Sequence, residues 1–256
     1  MNETVLSVQH LVKSFDGVRA VQDVSFHVHA GELAALIGPN GAGKTTCFNC
    51  INGQIRPDSG RVALAGVNIT GRSPREIALA GVGRTFQVAA TFASMTVREN
   101  LAIALMSHAG LAASIRGRVS RSRVAQADAL MARTGISALA DHHCATLSYG
   151  DQKRVELALA LAGHPKLLLM DEPTAGMAAR ERGALMASAA ELARRDAVAV
   201  LFTEHDMDVV FGHADRVIVL DRGRIIAEGT PDEVRGDPGV RAVYLGEALQ
   251  GSAPAP

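Results

Sequence analysis

The sequence Gly38-Pro39-Asn40-Gly41-Ala42-Gly43-Lys44-Thr45 decides the fold of this 256-residue chain. It fits the phosphate-binding pattern of a glycine, four residues, and then Gly-Lys-Ser or Gly-Lys-Thr. Glycine permits backbone angles that other residues avoid, and it lets main-chain amides approach an anion closely. A chance match in a chain of this length has a probability on the order of 1% at ordinary residue frequencies. The stretch therefore predicts a phosphate site.

The residues on either side of this stretch predict a strand, a loop and a helix. Leu33–Ile37 is a short apolar run typical of a buried strand, and a helix is expected from Thr46 onward. A loop in that setting directs several amides and a helix N-terminus at one point in space. In this pattern Lys44 reaches the β- and γ-phosphates of a nucleotide, and the Thr45 hydroxyl ligates Mg²⁺.

Strand-like and helical segments alternate around this loop. Half-buried strands are predicted at 5–12 and 18–28 about a turn at Asp16-Gly17, and another strand at 61–69. The remaining predicted segments are a mostly helical stretch at 96–162, strands at 166–171, 198–203 and 216–221, and a helix at 179–195. That alternation implies parallel pairing. We therefore expect a mixed α/β core interrupted by a helical lobe, followed by a disordered tail at 251–256.

Composition bounds the classes of function. The formal net charge is +0, so no global basic field argues for nucleic acid. Hydrophobic residues make up 48% of the chain, which suits a well-packed globular protein. No stretch approaches the roughly 18 uninterrupted apolar residues of a membrane span. The start at Met1 lacks the basic and apolar blocks of a secretory signal. The chain is expected to stay in the cytoplasm.

Cys47 and Cys50 form a C-x-x-C motif, which invites a redox or metal interpretation. Both residues fall in the predicted helix after the phosphate loop, on one face. Neither a second cysteine pair nor a histidine cluster completes a zinc site. We therefore predict ordinary helix packing for both thiols.

Two acids follow a short apolar run at the end of a predicted parallel strand. Asp171 and Glu172 would lie where ligands bind in open α/β sheets. Asp171 is expected to hold Mg²⁺ through a water, and Glu172 to polarise an attacking water. Alone, the pair also fits acids that cap a strand before a turn. His205 follows the strand 198–203, so it is expected at the same end of the sheet, near the γ-phosphate.

Ser148 and Asp151 have the spacing of a capping box at the start of a helix. That pattern leaves Gly150 unexplained, because a glycine in a first helical turn costs about 1 kcal/mol against alanine. Close approach of a phosphate to the backbone would explain it. Since one domain already has its phosphate site, a second suggests the nucleotide of a partner chain, bound across a dimer interface.

These motifs, in this order, resemble those of ATP-binding cassette (ABC) ATPases over nearly the whole chain. The resemblance implies a P-loop NTPase core with a mostly parallel sheet and an antiparallel β subdomain, at 1–87 and 163–250. It also implies an inserted helical subdomain at 88–162, all within one ABC domain at 1–250. A head-to-tail dimer that closes on two ATP molecules, with Mg²⁺, is expected.

The resemblance also assigns residues. Glu172, His205, Gln87 and Lys44 are implied to be catalytic, and Thr45, Gln87 and Asp171 to hold the metal. The implied ATP-binding residues are Phe15 (stacked on adenine), Gly38, Pro39, Asn40, Gly41, Ala42, Gly43, Lys44, Thr45, Thr46, Ser148, Gly150 and Asp151. Tyr149 and Asp151 stand where the common signature has Gly and Gln, and Ala178 stands where many relatives have Asp.

A closer resemblance is to branched-chain amino-acid uptake ATPases. It is carried by Gly83-Arg84-Thr85-Phe86-Gln87, Met95-Thr96-Val97-Arg98-Glu99-Asn100-Leu101 and Tyr244-Leu245-Gly246-Glu247. It implies an ATPase at the cytoplasmic face of the cell membrane, paired with itself or a sister ATPase. Two membrane-spanning permease subunits, gripping a groove near 88–95, and an external solute-binding protein complete the expected system. The alternatives are an exporter or lipid-trafficking ATPase and a non-transport cassette acting on nucleic acid.

Overall fold

A computed structural model describes residues 3–85, 91–108 and 121–250, the last six by their backbone. Gln87, part of the segment 88–95 and the tail at 251–256 therefore lie outside the described residues. The strands in the described part are β1 Thr4–Phe15, β2 Val18–His29, β3 Leu33–Ile37, β4 Ser59–Leu64, β5 Val67–Asn68, β6 Val82–Arg84, β7 Leu167–Asp171, β8 Ala199–Thr203, β9 Arg216–Asp221 and β10 Arg224–Gly229.

The helices surround the strands. Those in the described part are α1 Lys44–Ile51, α2 Pro74–Ala80, α3 Val97–His108, α4 Arg121–Arg133, α5 Tyr149–Leu161, α6 Ala179–Asp196, α7 Met207–His213, α8 Pro231–Gly236 and α9 Pro238–Gln250. Short 3-10 turns lie at Ser137–Leu139 and Cys144–Thr146. Among the described residues, no helix has both the length and the apolar character that crossing a bilayer requires.

The strands form two sheets. A six-stranded sheet has the order β10-β9-β3-β8-β7-β6, and all its pairs are parallel except β10 with β9. An antiparallel sheet has the order β2-β1-β4-β5. The P-loop α/β fold expected from the sequence is confirmed, and so is the parallel pairing predicted from alternating strands and helices.

The parallel sheet is buried on both faces, as strands of this kind usually are. Along β3, Leu33, Ala35 and Ile37 join the hydrophobic cluster beneath the helices α3 to α7. Ala34 and Leu36 join a second cluster, between this sheet and the antiparallel sheet. Because every residue of β3 is buried, the loop that follows leaves the sheet from a rigid base.

Two details differ from the sequence predictions. The strand expected at 61–69 is a hairpin, because Ala65 and Gly66 both have positive φ and turn the chain back between β4 and β5. The helix expected from Thr46 begins at Lys44, because the left-handed Gly43 serves as its N-cap.

Cys47 and Cys50 are buried in α1 and unpaired. Burial raises the pKa of both thiols, to about 11 for Cys50, so packing rather than redox chemistry accounts for them.

Candidate functional site

The loop between β3 and α1 is shaped by glycines that have no room for a side chain. Gly38 has φ +151°, and an ideal Cβ there would lie 2.1 Å from the carbonyl oxygen of Leu220 in β9. Gly43 has φ +104°, and its Cβ would lie 2.2 Å from the carbonyl oxygen of Ala20 in β2. The loop therefore rests on the backbones of both sheets, and its conformation needs glycine at these two positions.

The N-terminus of α1 is left open for an anion. Gly43 offers no side-chain cap, and the first turn of α1 contains no acidic residue. The Lys44 ammonium bends back over the loop, where it donates to the carbonyl oxygens of Gly38 at 2.5 Å and Pro39 at 3.0 Å. Thr45 is exposed in the first turn. Bare helical amides beside a lysine make a strong phosphate site.

Asp171 ends β7 at the carboxyl edge of the parallel sheet. Its side chain is 4% exposed, and Oδ1 accepts a hydrogen bond from the Thr203 hydroxyl at 2.7 Å. β7 lies two strands from β3, with β8 between them. The fold thus brings Asp171 to the same edge of the sheet as the phosphate loop, as the parallel strands predicted.

Glu172 and His205 meet at this edge. Glu172 has φ +48°, an uncommon angle for a residue with a side chain, and its amide donates to both the carbonyl and the hydroxyl oxygen of Thr203 at 3.1 Å. His205 Nε2 lies 2.9 Å from Glu172 Oε1, with both side chains partly exposed. Thr203 therefore fixes the turn that aims Glu172, and His205 limits where the carboxylate can go.

Glu204 is a residue that the sequence interpretation missed. It is 4% exposed and accepts hydrogen bonds from the Thr174 amide at 2.8 Å and the Thr174 hydroxyl at 2.6 Å. It joins the turn after β7 to the turn after β8, so it positions Glu172 and His205 relative to each other. Its sequence signal was available, since it directly precedes His205 at the end of a buried strand.

The N-terminal end of α5 contains the second predicted anion site. Ser148 Oγ accepts from the Asp151 amide at 3.2 Å and donates to Asp151 Oδ2 at 2.8 Å. An ideal Cβ at Gly150 would lie 2.8 Å from Glu181 Oε1, in the first turn of α6. The glycine therefore leaves room for the end of the Glu181 side chain, which a residue with a Cβ would displace.

The loop from Ala175 to Ala178, which precedes α6, is tied to α5. The Tyr149 hydroxyl donates to the carbonyl oxygen of Ala175 at 3.0 Å, and Arg182 Nε donates to that of Met177 at 2.8 Å. Ala178 is the N-cap of α6 and offers no side-chain hydrogen bond. Tyr149 and Arg182 therefore hold this loop through its carbonyl oxygens.

One other predicted site residue, Phe15, lies apart from these contacts. Phe15 ends β1 with 43% of its surface exposed, opposite Val18 across the hairpin, and Lys13 Nζ lies 5.2 Å from its ring centroid. Its exposed face suits stacking on a base. Gln87 lies outside the described residues.

A groove of about 320 Å³ separates α2 and β6 from α3 and α5. We call it the α2–α5 groove, and it is lined by Asn52, Ile77, Arg84, Ala104, His108 and Glu156 among others. Lys153 Nζ donates to the buried Glu156 carboxylate at 3.0 Å. Burial raises the pKa of Glu156, against the lowering effect of Lys153. Asn52 Nδ2 is buried without an acceptor among the described residues.

Two families of known proteins match the chain. The family described as ABC transporter matches residues 21–175, and the family described as branched-chain amino acid ATP-binding cassette transporter matches residues 224–249. The chain is 39% identical to the high-affinity branched-chain amino acid transport ATP-binding protein LivG of Salmonella typhimurium, over 97% of this chain and 100% of that protein. It is 36% identical to the lipopolysaccharide export system ATP-binding protein LptB of Haemophilus influenzae, over 96% and 99%.

Solved structures give the same relationship. The ADP conformation of an ATP-binding cassette of an ABC transporter superposes with a TM-score of 0.84 at 31% identity, covering 95% of this chain and 99% of that one. A dimeric bacterial ABC transporter cassette superposes with a TM-score of 0.74 at 25% identity, covering 88% and 98%.

Proposed function

This chain belongs to the ABC transporter family of ATPases, and on that premise we propose that it powers the uptake of branched-chain amino acids or related small solutes. The observation that carries the ATPase part is the meeting of a bare, lysine-flanked helix N-terminus with Asp171, Glu172 and His205 at one sheet edge. The match at 224–249 to the branched-chain family supports the solute class.

In the proposed mechanism the phosphates of ATP bind the loop amides from Gly41 to Thr46, and Lys44 neutralises their charge. Water attacks the γ-phosphorus, the bond to the β–γ bridging oxygen breaks, and ADP and inorganic phosphate leave. Glu172 accepts the proton of the attacking water, because its backbone is fixed by Thr203 and its carboxylate lies beside His205. Phe15 stacks on the base, and Gln87 couples the nucleotide to the membrane subunit.

The residues at the sheet edge fit Mg²⁺. Asp171 supplies a buried carboxylate and Thr45 a hydroxyl in the first turn of α1, and such hard oxygen donors suit this ion together with phosphate oxygens. The ion supplies charge neutralisation on the phosphates. Thr203 keeps Asp171 in one orientation through its hydrogen bond to Oδ1.

We assign the N-terminus of α5 to the ATP of a partner cassette in a head-to-tail dimer, with either a second copy of this chain or a sister ATPase. Ser148, Gly150 and Asp151 would approach the γ-phosphate from the side opposite Lys44. The tie between Tyr149 and Ala175 supports this assignment, because it links this helix to the loop before α6.

The α2–α5 groove is the proposed contact with the membrane-spanning permease subunits. It lies between core strand β6 and helices α3 and α5. A permease segment bound there would therefore move when the helices shift relative to the strand. The buried Asn52 amide would find an acceptor in a carbonyl of that segment. This arrangement holds the ATPase at the cytoplasmic face of the membrane, and the proposed system includes an external solute-binding protein.

Glu172→Gln tests the assignment of the base. We expect the variant to bind ATP as tightly as the wild type but to hydrolyse it about 10³-fold more slowly, because the amide cannot accept the proton. ATP should then accumulate in a stable dimer, measured by analytical ultracentrifugation. Turnover within a few fold of wild type would contradict the assignment. Glu191→Gln, on an exposed face of α6, is the control.

Purification from native membranes in mild detergent tests the transport proposal separately. We expect two polytopic membrane proteins to accompany the chain, and their genes to lie beside one for an external amino-acid-binding protein. Recovery with lipid-export components would favour the exporter alternative, since the chain also resembles an export ATPase. Recovery with nucleic acid alone would contradict transport.

A further inference from the structure

Arg84 makes a contact with Asp171 for which the proposed mechanism has no use. Asp171 Oδ1 is bonded to Thr203, and Oδ2 lies 3.3 Å from Arg84 Nη2. The side chain of Arg84 is 18% exposed and that of Asp171 is 4% exposed. A carboxylate this deeply buried is costly without a compensating cation. Arg84 supplies such a cation through its ion pair with Asp171.

Arg84 is held in place from its other side. It ends β6, which pairs in parallel with β7, so its side chain leaves the sheet at the same edge as Asp171. Nη1 donates to Gln54 Oε1 at 2.8 Å and approaches Asn49 Oδ1 at 3.4 Å. The guanidinium is thus bound more closely to Gln54 than to Asp171. Its contact with Asp171 is also longer than the roughly 2.8 Å usual for such charged pairs.

The position of Asn49 places this guanidinium beside the proposed metal site. Asn49 follows Thr45 by four residues on α1, so the two side chains lie on one face of the helix. Arg84 therefore spans from the face of α1 that presents Thr45 to the carboxylate of Asp171. Those are two of the groups that the proposed function assigns to Mg²⁺.

We propose that Arg84 is a positioning residue that neutralises Asp171 until the divalent ion arrives and competes with that ion for Asp171 Oδ2. The inference rests on the proposed ATPase function. When the ion binds Asp171 it takes the place of the guanidinium. Arg84 then loses its ion pair with Asp171 in β7 and keeps its hydrogen bond to Gln54.

Arg84→Gln tests this role through metal binding rather than activity. With saturating ADP, the affinity for Mn²⁺, measured by electron paramagnetic resonance, should rise about tenfold, because the competing cation is gone. Without nucleotide or divalent ion, the melting temperature should fall by roughly 5 °C, because Asp171 is left buried and unpaired. Arg84→Lys keeps the charge but is too short to hold both sides, and it should raise the Mn²⁺ affinity about twofold.

Arg194→Gln is the matched control, since it breaks an exposed ion pair with Asp215 and should change neither measurement. Unchanged or weaker Mn²⁺ affinity in Arg84 variants that still bind ADP would overturn the competition. If Arg84→Gln does not fold, Arg84→Lys alone decides between the two results. A wild-type chain that binds neither ADP nor Mn²⁺ would instead contradict the proposed function.

Discussion

The N-termini of α1 and α5 are both assigned to phosphate, but they differ in what surrounds them. At α1 the N-cap is a left-handed glycine, the first turn has no acid, and Lys44 lies over the loop. At α5 the Ser148 side chain caps the helix, Asp151 lies in the first turn, and the Glu181 carboxylate presses against Gly150. The first site is ready for an anion in a single chain. The second is occupied by the chain's own polar groups.

Under the proposed function, this difference predicts that a lone cassette binds ATP but does not complete the reaction. A phosphate arriving at α5 must displace hydrogen bonds within the chain and approach two carboxylates. A phosphate arriving at α1 meets uncapped helical amides and the Lys44 ammonium, which exchanges the carbonyl oxygens of Gly38 and Pro39 for the anion. We therefore predict that the α5 site opens only when a partner brings its own bound nucleotide, so that hydrolysis depends on assembly.

Gly43→Ala should have the largest effect on this comparison. A Cβ at this position would lie 2.2 Å from the backbone of Ala20, so the loop must move away from β2. We expect ATP affinity, measured by fluorescence titration, to fall at least about 100-fold, because the amides no longer converge. Gly66→Ala is the control: it has a similar positive φ but nothing within 4 Å, and should leave affinity unchanged. Near-normal binding by Gly43→Ala would contradict a preformed site.

Glu181→Gln should have an intermediate effect, in the opposite direction. Removing the charge beside Gly150 lowers the repulsion met by the partner's γ-phosphate. In a Glu172→Gln background the ATP-dependent dimer should be roughly fivefold tighter by analytical ultracentrifugation, while ATP affinity of the monomer stays the same. Glu191→Gln serves as control on an exposed part of α6. A weaker dimer would mean that Glu181 supports α5 rather than blocks it.

Tyr149→Phe should have the smallest effect. It removes one hydrogen bond to the Ala175 carbonyl, worth about 1 kcal/mol at most at a half-exposed site, and keeps the ring. Amide exchange in the loop from Ala175 to Ala178 should rise about two- to threefold, with no change at Gly41–Thr46. Equal changes at both sites would show that the two regions are not independent.

The features of the site that could be predicted are those encoded locally. The spacing of the glycines predicts the loop, and an apolar run followed by acids predicts the position of Asp171. Neither prediction needs any knowledge of the rest of the fold. β6 was missed because three residues give no period, and Arg84 was therefore not placed on a strand. The sequence does not predict the hairpin at Ala65 and Gly66, because these two residues with positive φ lie inside an apolar stretch that resembles one continuous strand.

The missing parts of the site depend on contacts between distant segments. Glu181 lies 31 residues after Gly150, and nothing in either local sequence indicates that a carboxylate abuts that glycine. Glu204 reaches Thr174 only because β7 and β8 are neighbours in the sheet. Gly150 was interpreted through a phosphate alone, since the sequence offers no way to weigh an internal contact against a ligand.

The contrast between the two helices is tested most directly by hydrogen–deuterium exchange with and without ATP, at several concentrations of the Glu172→Gln chain. We predict that ATP protects Gly41–Thr46 at every concentration, including those at which the chain is monomeric. Protection at residues 148–152 should appear only as the dimer forms, or when a partner cassette is added. Protection of both regions by ATP in the monomer would contradict the account, because the second site would then need no partner.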